Sequence, residues 1–239
     1  MCISPEFLIE QIVVFMQTKE WAKEITKRLI KEYGQNRKES LEPFDELIRT
    51  ILSQNTSDVN SERSYKQLAE KFSTVKALAD SSLDKLEETI KIGGLYRQKA
   101  KRIKNIAKSV VEKYDGALSF LKDKDTDEVR KFLNNIEGVG AKTADCVLLF
   151  SLERPVIPVD THVWRVSRRL GLIKDKKGKK VTREMAGRVL EKLIEPDLRY
   201  DFHVDLILHG RKICKAQIPV CSKCILEDLC EKNGVKTKG

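Results

Sequence analysis

Ile136-Glu137-Gly138-Val139-Gly140-Ala141-Lys142-Thr143-Ala144-Asp145-Cys146-Val147-Leu148-Leu149-Phe150 is the stretch on which the fold turns. A short turn, Glu137 to Gly140, separates two helical runs. The run before it, Asp127 to Asn135, is amphipathic. The run after it, Ala141 to Leu152, carries Ala144, Cys146, Val147, Leu148, Leu149 and Phe150 round every side of the helical wheel, the pattern of a buried helix. Lys142 stands in its first turn, where a cation opposes the helix dipole and burial penalises a charge. A residue placed against stability is a candidate for function, although a surface lysine at a helix start would also satisfy the local pattern. Gly138 and Gly140 can both take positive φ, and the open N–H groups of such a turn suit a phosphate.

Outward from this stretch the chain reads as helix throughout; Pro155 to Val159 is the one extended-looking segment. Ser4-Pro5 opens an apolar helix, Phe7 to Met16, followed by a second from Trp21 to Tyr33 that Gly34 stops. Pro43 starts a helix with Phe44, Leu47, Ile48, Ile51 and Leu52 inward, broken by the polar turn Ser53 to Asp58. Val59, Leu68, Ala69 and Phe72 mark the next helix. Ser81-Ser82 caps another, which Gly93-Gly94 ends. Tyr96 to Tyr114 is a long basic helix with Ile103, Ile106, Ala107, Val110 and Val111 as its core stripe; Lys99, Lys101, Arg102, Lys104 and Lys108 read as its solvated face. Helices from Thr161 to Leu170, Thr182 to Ile194 and Arg199 to Cys214 complete the set, with Lys174 to Lys180 as a basic loop. Asp160 precedes a helix and reads as its N-cap.

The 239 residues carry a formal charge of +10, which suits a polyanion such as nucleic acid. No apolar run approaches the ~20 residues of a membrane span, and the start lacks the features of a secretion signal. Six cysteines, four of them crowded near the C-terminus, fit an intracellular metal site better than disulfides. Cys214, Cys221, Cys224 and Cys230 span 17 residues and can close around one centre, zinc or iron–sulfur. Cys146 reads as a core residue, and His162, His203 and His209 as hydrogen-bonded structural residues.

Three motifs together resemble the endonuclease III family of DNA glycosylases: the hairpin Gly138 to Ala144, the loop Val159-Asp160-Thr161-His162-Val163 with Asp160 eighteen residues past Lys142, and Leu206 to Arg211 followed by the four cysteines. The resemblance runs from about residue 25 to 232. It implies an all-α helix-hairpin-helix glycosylase fold. Residues 41–154 would form a six-helix barrel lobe and residues 1–40 with 155–239 a second lobe, DNA and the active site lying in the cleft between them. It also implies a [4Fe–4S] cluster on the four cysteines, Lys142 as an amine nucleophile and Asp160 as its catalytic partner. Gly138, Val139 and Gly140 would bind DNA, with Lys212, Lys215 and Lys223 lining a basic loop. Leu95 matches the family's wedge leucine, though a helix-entry core leucine is the plainer alternative. The turn Ser53 to Asp58 matches the loop that fills the gap left by a flipped base; Asn55 stands where the family has glutamine, and neighbouring Gln54 can share the contact. The implied activity is a bifunctional glycosylase and abasic-site lyase acting on oxidised pyrimidines. The implied partner is double-stranded DNA with damaged bases or abasic sites, met by a cytoplasmic, nucleoid-associated monomer with no membrane attachment. The rivals are a monofunctional mismatch glycosylase and a non-catalytic DNA-binding scaffold.

Overall fold

A computed structural model describes residues 5–35, 37, 39–175 and 180–235, with side chains from residue 16 onward. Every regular element among them is helical. They divide into two compact units, one of residues 39–154 and the other of residues before 39 and after 154.

The 39–154 unit begins with α2 (Pro43–Ser53), whose proline sits in the first turn. Phe44, Leu47, Ile48, Ile51 and Leu52 are all buried, as their spacing predicts. α3 (Asp58–Lys71), α4 (Val75–Asp80) and α5 (Leu83–Ile90) follow, N-capped by Ser57, Thr74 and Ser82. α4 is too short to show a helical period, so the sequence does not announce it. Val59 is exposed, because the inward stripe of α3 is Ser61, Ser64 and Leu68. After a 3-10 turn at Lys91–Gly93 comes α6 (Tyr96–Tyr114). α7 (Thr126–Asn134) opens with a capping box between Asp125 and Glu128. α8 (Ala141–Phe150) is buried from Thr143 to Leu149 and packs on α2 and α7. It is not apolar on every side: Asp145 is buried and accepts from Arg130 Nε of α7 at 2.7 Å.

In the other unit α1 (Pro5–Tyr33) is a single helix rather than the expected two. Gln17-Thr18-Lys19-Glu20, where the break was expected, contains no glycine or proline to stop it. The N-cap expected at Ser4 lies outside the described residues, as does most of the basic loop after Asp175. α9 (Thr161–Leu170) ends at Gly171, whose φ of 84° only glycine adopts cheaply. α10 (Arg183–Leu193) and α11 (Arg199–Lys212) complete it. Ile25, Leu29, Val163, Val166, Phe202 and Leu206 meet in its core.

Candidate functional site

The hairpin between α7 and α8 uses its two glycines differently. Gly138 has φ of 83°, and Arg102 of α6 lies where a side chain at 138 would stand. Gly140 does not take positive φ, as the sequence suggested; it is extended at −95°, 170° and begins α8 with no side-chain cap. Val139 is buried and its N–H donates to Ile136 O at 2.9 Å. Thr143 and Ala144 both donate to Gly140 O, so the N–H groups of Ala141 and Lys142 precede the hydrogen-bond ladder. Lys142 is half-buried there. Its side chain hydrogen-bonds the Cys146 thiol one turn on, which offsets part of the rise that burial imposes on that thiol.

Two loop tips in the same unit are strained. Asn55 is exposed at φ 52° and Leu95 at φ 48°, left-handed values that are unusual for a leucine. Leu95 is 50% exposed, which removes the core-leucine alternative. Gln54 points inward instead. Its Nε2 donates to Thr143 Oγ1 at 3.3 Å, and its Oε1 accepts from Arg102 Nη1 at 3.0 Å. The amide expected to share base contacts is thus engaged at both ends inside the protein.

In the other unit Asp160 is the N-cap of α9, its Oδ1 accepting from His162 N at 2.8 Å and Val163 N at 2.7 Å. The capping role fixes the carboxylate in place. All four tail cysteines are free thiols and line one cavity with Val166, Leu170, Ile213 and Pro219. Burial pushes the Cys224 thiol up to about 11, and the three other sulfurs add to the rise. Donors already face the sulfurs: Arg169 Nη1 lies 3.3 Å from Cys214 Sγ and Lys232 N lies 3.4 Å from Cys230 Sγ. His209 Nε2 is 3.5 Å from Cys224 Sγ, and its Nδ1 is 3.0 Å from Tyr33 Oη. Lys215 and Lys223 are exposed beside this loop, and Lys212 is exposed with its ammonium 5.4 Å from the centre of the Tyr33 ring. Among the described residues no group of three or more His, Cys, Asp or Glu side chains is placed to hold a metal ion.

Residues 48–192 match the model of the HhH-GPD superfamily of base excision DNA repair proteins. The endonuclease III of Thermotoga maritima is 38% identical over 90% of this chain and 95% of its own. The chain belongs to the endonuclease III family. A solved endonuclease III–DNA covalent intermediate, the trapped estranged-adenine complex, shares its fold with TM-score 0.76 at 32% identity, over 90% of this chain and 96% of that one. A thermostable thymine-DNA glycosylase has nearly the same fold, TM-score 0.75 at 22% identity, over 90% and 97%. The protein is therefore a base excision repair DNA glycosylase.

Set in the endonuclease III fold, several residues matter that the sequence reading placed in solvent or did not place. Lys99, Arg102 and Lys104 of α6 turn inward onto loops. Lys99 is 5% exposed. It falls on the same face as Ile103, Ile106 and Val110, a period that signalled its burial. In α9, Arg165 donates to Cys214 O at 3.0 Å and Gly210 O at 2.9 Å, and Arg169 to Lys215 O at 2.7 Å and Ala216 O at 2.8 Å. These guanidiniums tie the helix that Asp160 caps to the first turn of the cysteine loop. Arg169 likewise shares the inner face of Val163, Val166 and Leu170.

Proposed function

We propose that this glycosylase is bifunctional and removes oxidised or ring-saturated pyrimidines from duplex DNA. The observation that carries the reading is the Lys142 amine, half-buried in the first turn of α8. A cation in that first turn opposes the helix dipole, and its half-burial is unfavourable for stability. The free amine attacks C1′ of the damaged nucleotide, and the base departs with the glycosidic electron pair and a proton. Asp160, held by its two N–H bonds, stabilises positive charge developing on the deoxyribose and helps deprotonate the attacking amine. Opening of the sugar gives a Schiff base. Loss of a C2′ proton then expels the 3′ phosphate, and hydrolysis frees Lys142. The solved relative was trapped as a covalent DNA intermediate, which supports this route.

DNA binding is assigned to the hairpin turn, with the N–H groups of Ala141 and Lys142 at a phosphate, and to Lys212, Lys215 and Lys223. Asn55 and Leu95 enter the stack when the lesion is extruded. The four cysteines fit a [4Fe–4S] cluster: four free sulfurs line one cavity, with N–H donors beside two of them. A bound cluster would hold the sulfurs as thiolates and order the basic loop.

A monofunctional mismatch glycosylase is the second reading. The fold does not separate the two, since a thymine-DNA glycosylase matches equally well; Lys142 does. Borohydride added during turnover on a duplex bearing one 5,6-dihydrouracil should capture a covalent adduct with the wild type and none with Lys142→Gln. Excision by the wild type without capture would establish the monofunctional reading.

A further inference from the structure

Lys99 is a buried cation whose partners are three neutral oxygens. Its Nζ donates to Leu52 O at 2.7 Å, Thr56 Oγ1 at 2.6 Å and Gly93 O at 2.9 Å, so all three ammonium protons are engaged. Two of these acceptors share one character. Leu52 O belongs to the last turn of α2, and Gly93 O ends the 3-10 turn before α6. A helix leaves its last carbonyls unpaired, and a cation there is favourable. One ammonium thus closes two helix ends. Thr56 Oγ1 joins the two sides a second time by donating to Gly93 O.

What lies beyond each closed end is a strained, exposed tip. Asn55 follows Leu52 by three residues at φ 52°, and Leu95 follows Gly93 by two at φ 48°. Neither tip has a core of its own to hold it. An apolar side chain at 99 would fill the same space without desolvating a charge. The ammonium therefore has to be explained by what it fastens.

We infer that Lys99 is the positioning residue that holds the Asn55 and Leu95 tips at the spacing needed to enter the stack together. This rests on the glycosylase reading above and on the assignment of those tips to the stack. It makes Lys99 a determinant of base extrusion rather than of bond breaking. The side chain cannot act as an alternative nucleophile, since it is enclosed and its protons are all donated.

The test compares one duplex bearing a paired 5,6-dihydrouracil with the same duplex bearing an abasic site, under single turnover. Lys99→Met should slow excision of the paired base about tenfold or more while nicking at the abasic site changes less than about threefold, because extrusion work has gone once the base is absent. Thr56→Val, which removes one leg of the bracket, should show the same selectivity more weakly and serves if Lys99→Met folds poorly. The effect of Lys99→Met should largely vanish in a Leu95→Ala, Asn55→Ala background, since residues acting through one another are not additive. A merely structural role would slow both substrates alike and stay additive; either result overturns the inference. A 2-aminopurine opposite the abasic site reports tip insertion independently of chemistry. Its fluorescence should rise with the wild type and not with Lys99→Met at saturating protein, and an equal rise with both also overturns the inference. If the wild type cleaves neither duplex, the glycosylase reading fails, while the fluorescence still decides whether Lys99 sets the tips.

Discussion

The two units hold their functional residues by opposite means. In residues 39–154 the helices supply the fold, and the strained pieces are two short tips fastened by a single ammonium. In the other unit the four cysteines stand on a loop. It has little regular structure, and α9 grips it through guanidinium bonds to backbone carbonyls. The difference teaches where stability and chemistry can be separated. Removing Lys142 costs one hydrogen bond to the Cys146 thiol, in a helix that Thr143 to Leu149 already bury. The cysteine loop, by contrast, puts only Leu226 fully into the core, so a cluster on its four sulfurs would be a larger share of what holds it.

The sharpest expected contrast is at the nucleophile. Lys142→Gln should lose at least about 10³-fold in strand nicking while melting within about 2 °C of the wild type; a large fall in melting temperature would erase the distinction between the units. Asp160→Asn should keep the cap, because asparagine caps as well as aspartate, yet lose about 10²-fold in base excision. Asp160→Ala should in addition lose about 1 kcal/mol of stability, read by urea unfolding.

For Cys224→Ser the readout is stability and bound iron. About 2–3 kcal/mol should go if the loop folds around a metal centre, and iron should drop from about four per chain in anaerobically purified wild type. Stoichiometric zinc in the wild type would replace the cluster with another centre.

Asp205, on α11, is fully buried, and burial with Asp201 nearby pushes its carboxyl up to about 7 from 3.8. Below 3.8 the folded and unfolded states both hold the proton; between 3.8 and about 7 only the folded state does. Stability contributed by that proton is therefore lost as pH rises through this window. Asp205→Asn should flatten the slope and gain about 2 kcal/mol at pH 8, measured by urea unfolding at pH 5 and 8. The smallest effect belongs to the exposed loop: Lys215→Ala should weaken damaged and undamaged DNA alike and reduce the salt slope by about 1. A loss confined to one lesion would mean that this residue reads a base.

Local rules made much of the site legible. A cation in the first turn of a buried helix, an aspartate just before a helix, and four cysteines within one short stretch are each visible from neighbours in sequence. The limits of those rules show at Gly140, which is extended although the sequence allowed positive φ, and at residues 17–20, where two apolar runs merge because nothing interrupts the helix. They show again at Gln54, whose polar amide suggested an outward contact but whose partners are Arg102 and Thr143.

What the sequence by itself determined was the all-helical class, the family, and the positions of Lys142, Asp160 and the cysteines, because each depends on spacing along one element. What only the tertiary structure decided was the bracing: Lys99 under the two tips, Arg165 and Arg169 on the cysteine loop. Except for Gly93, six residues from Lys99, the partners of these cations lie far away in sequence, 47 residues from Lys99 to Leu52 and 46 from Arg169 to Lys215. Most of those partners are backbone carbonyls. Every residue carries one, so no pattern of side chains can mark which will be left open at a helix end and within reach of a cation.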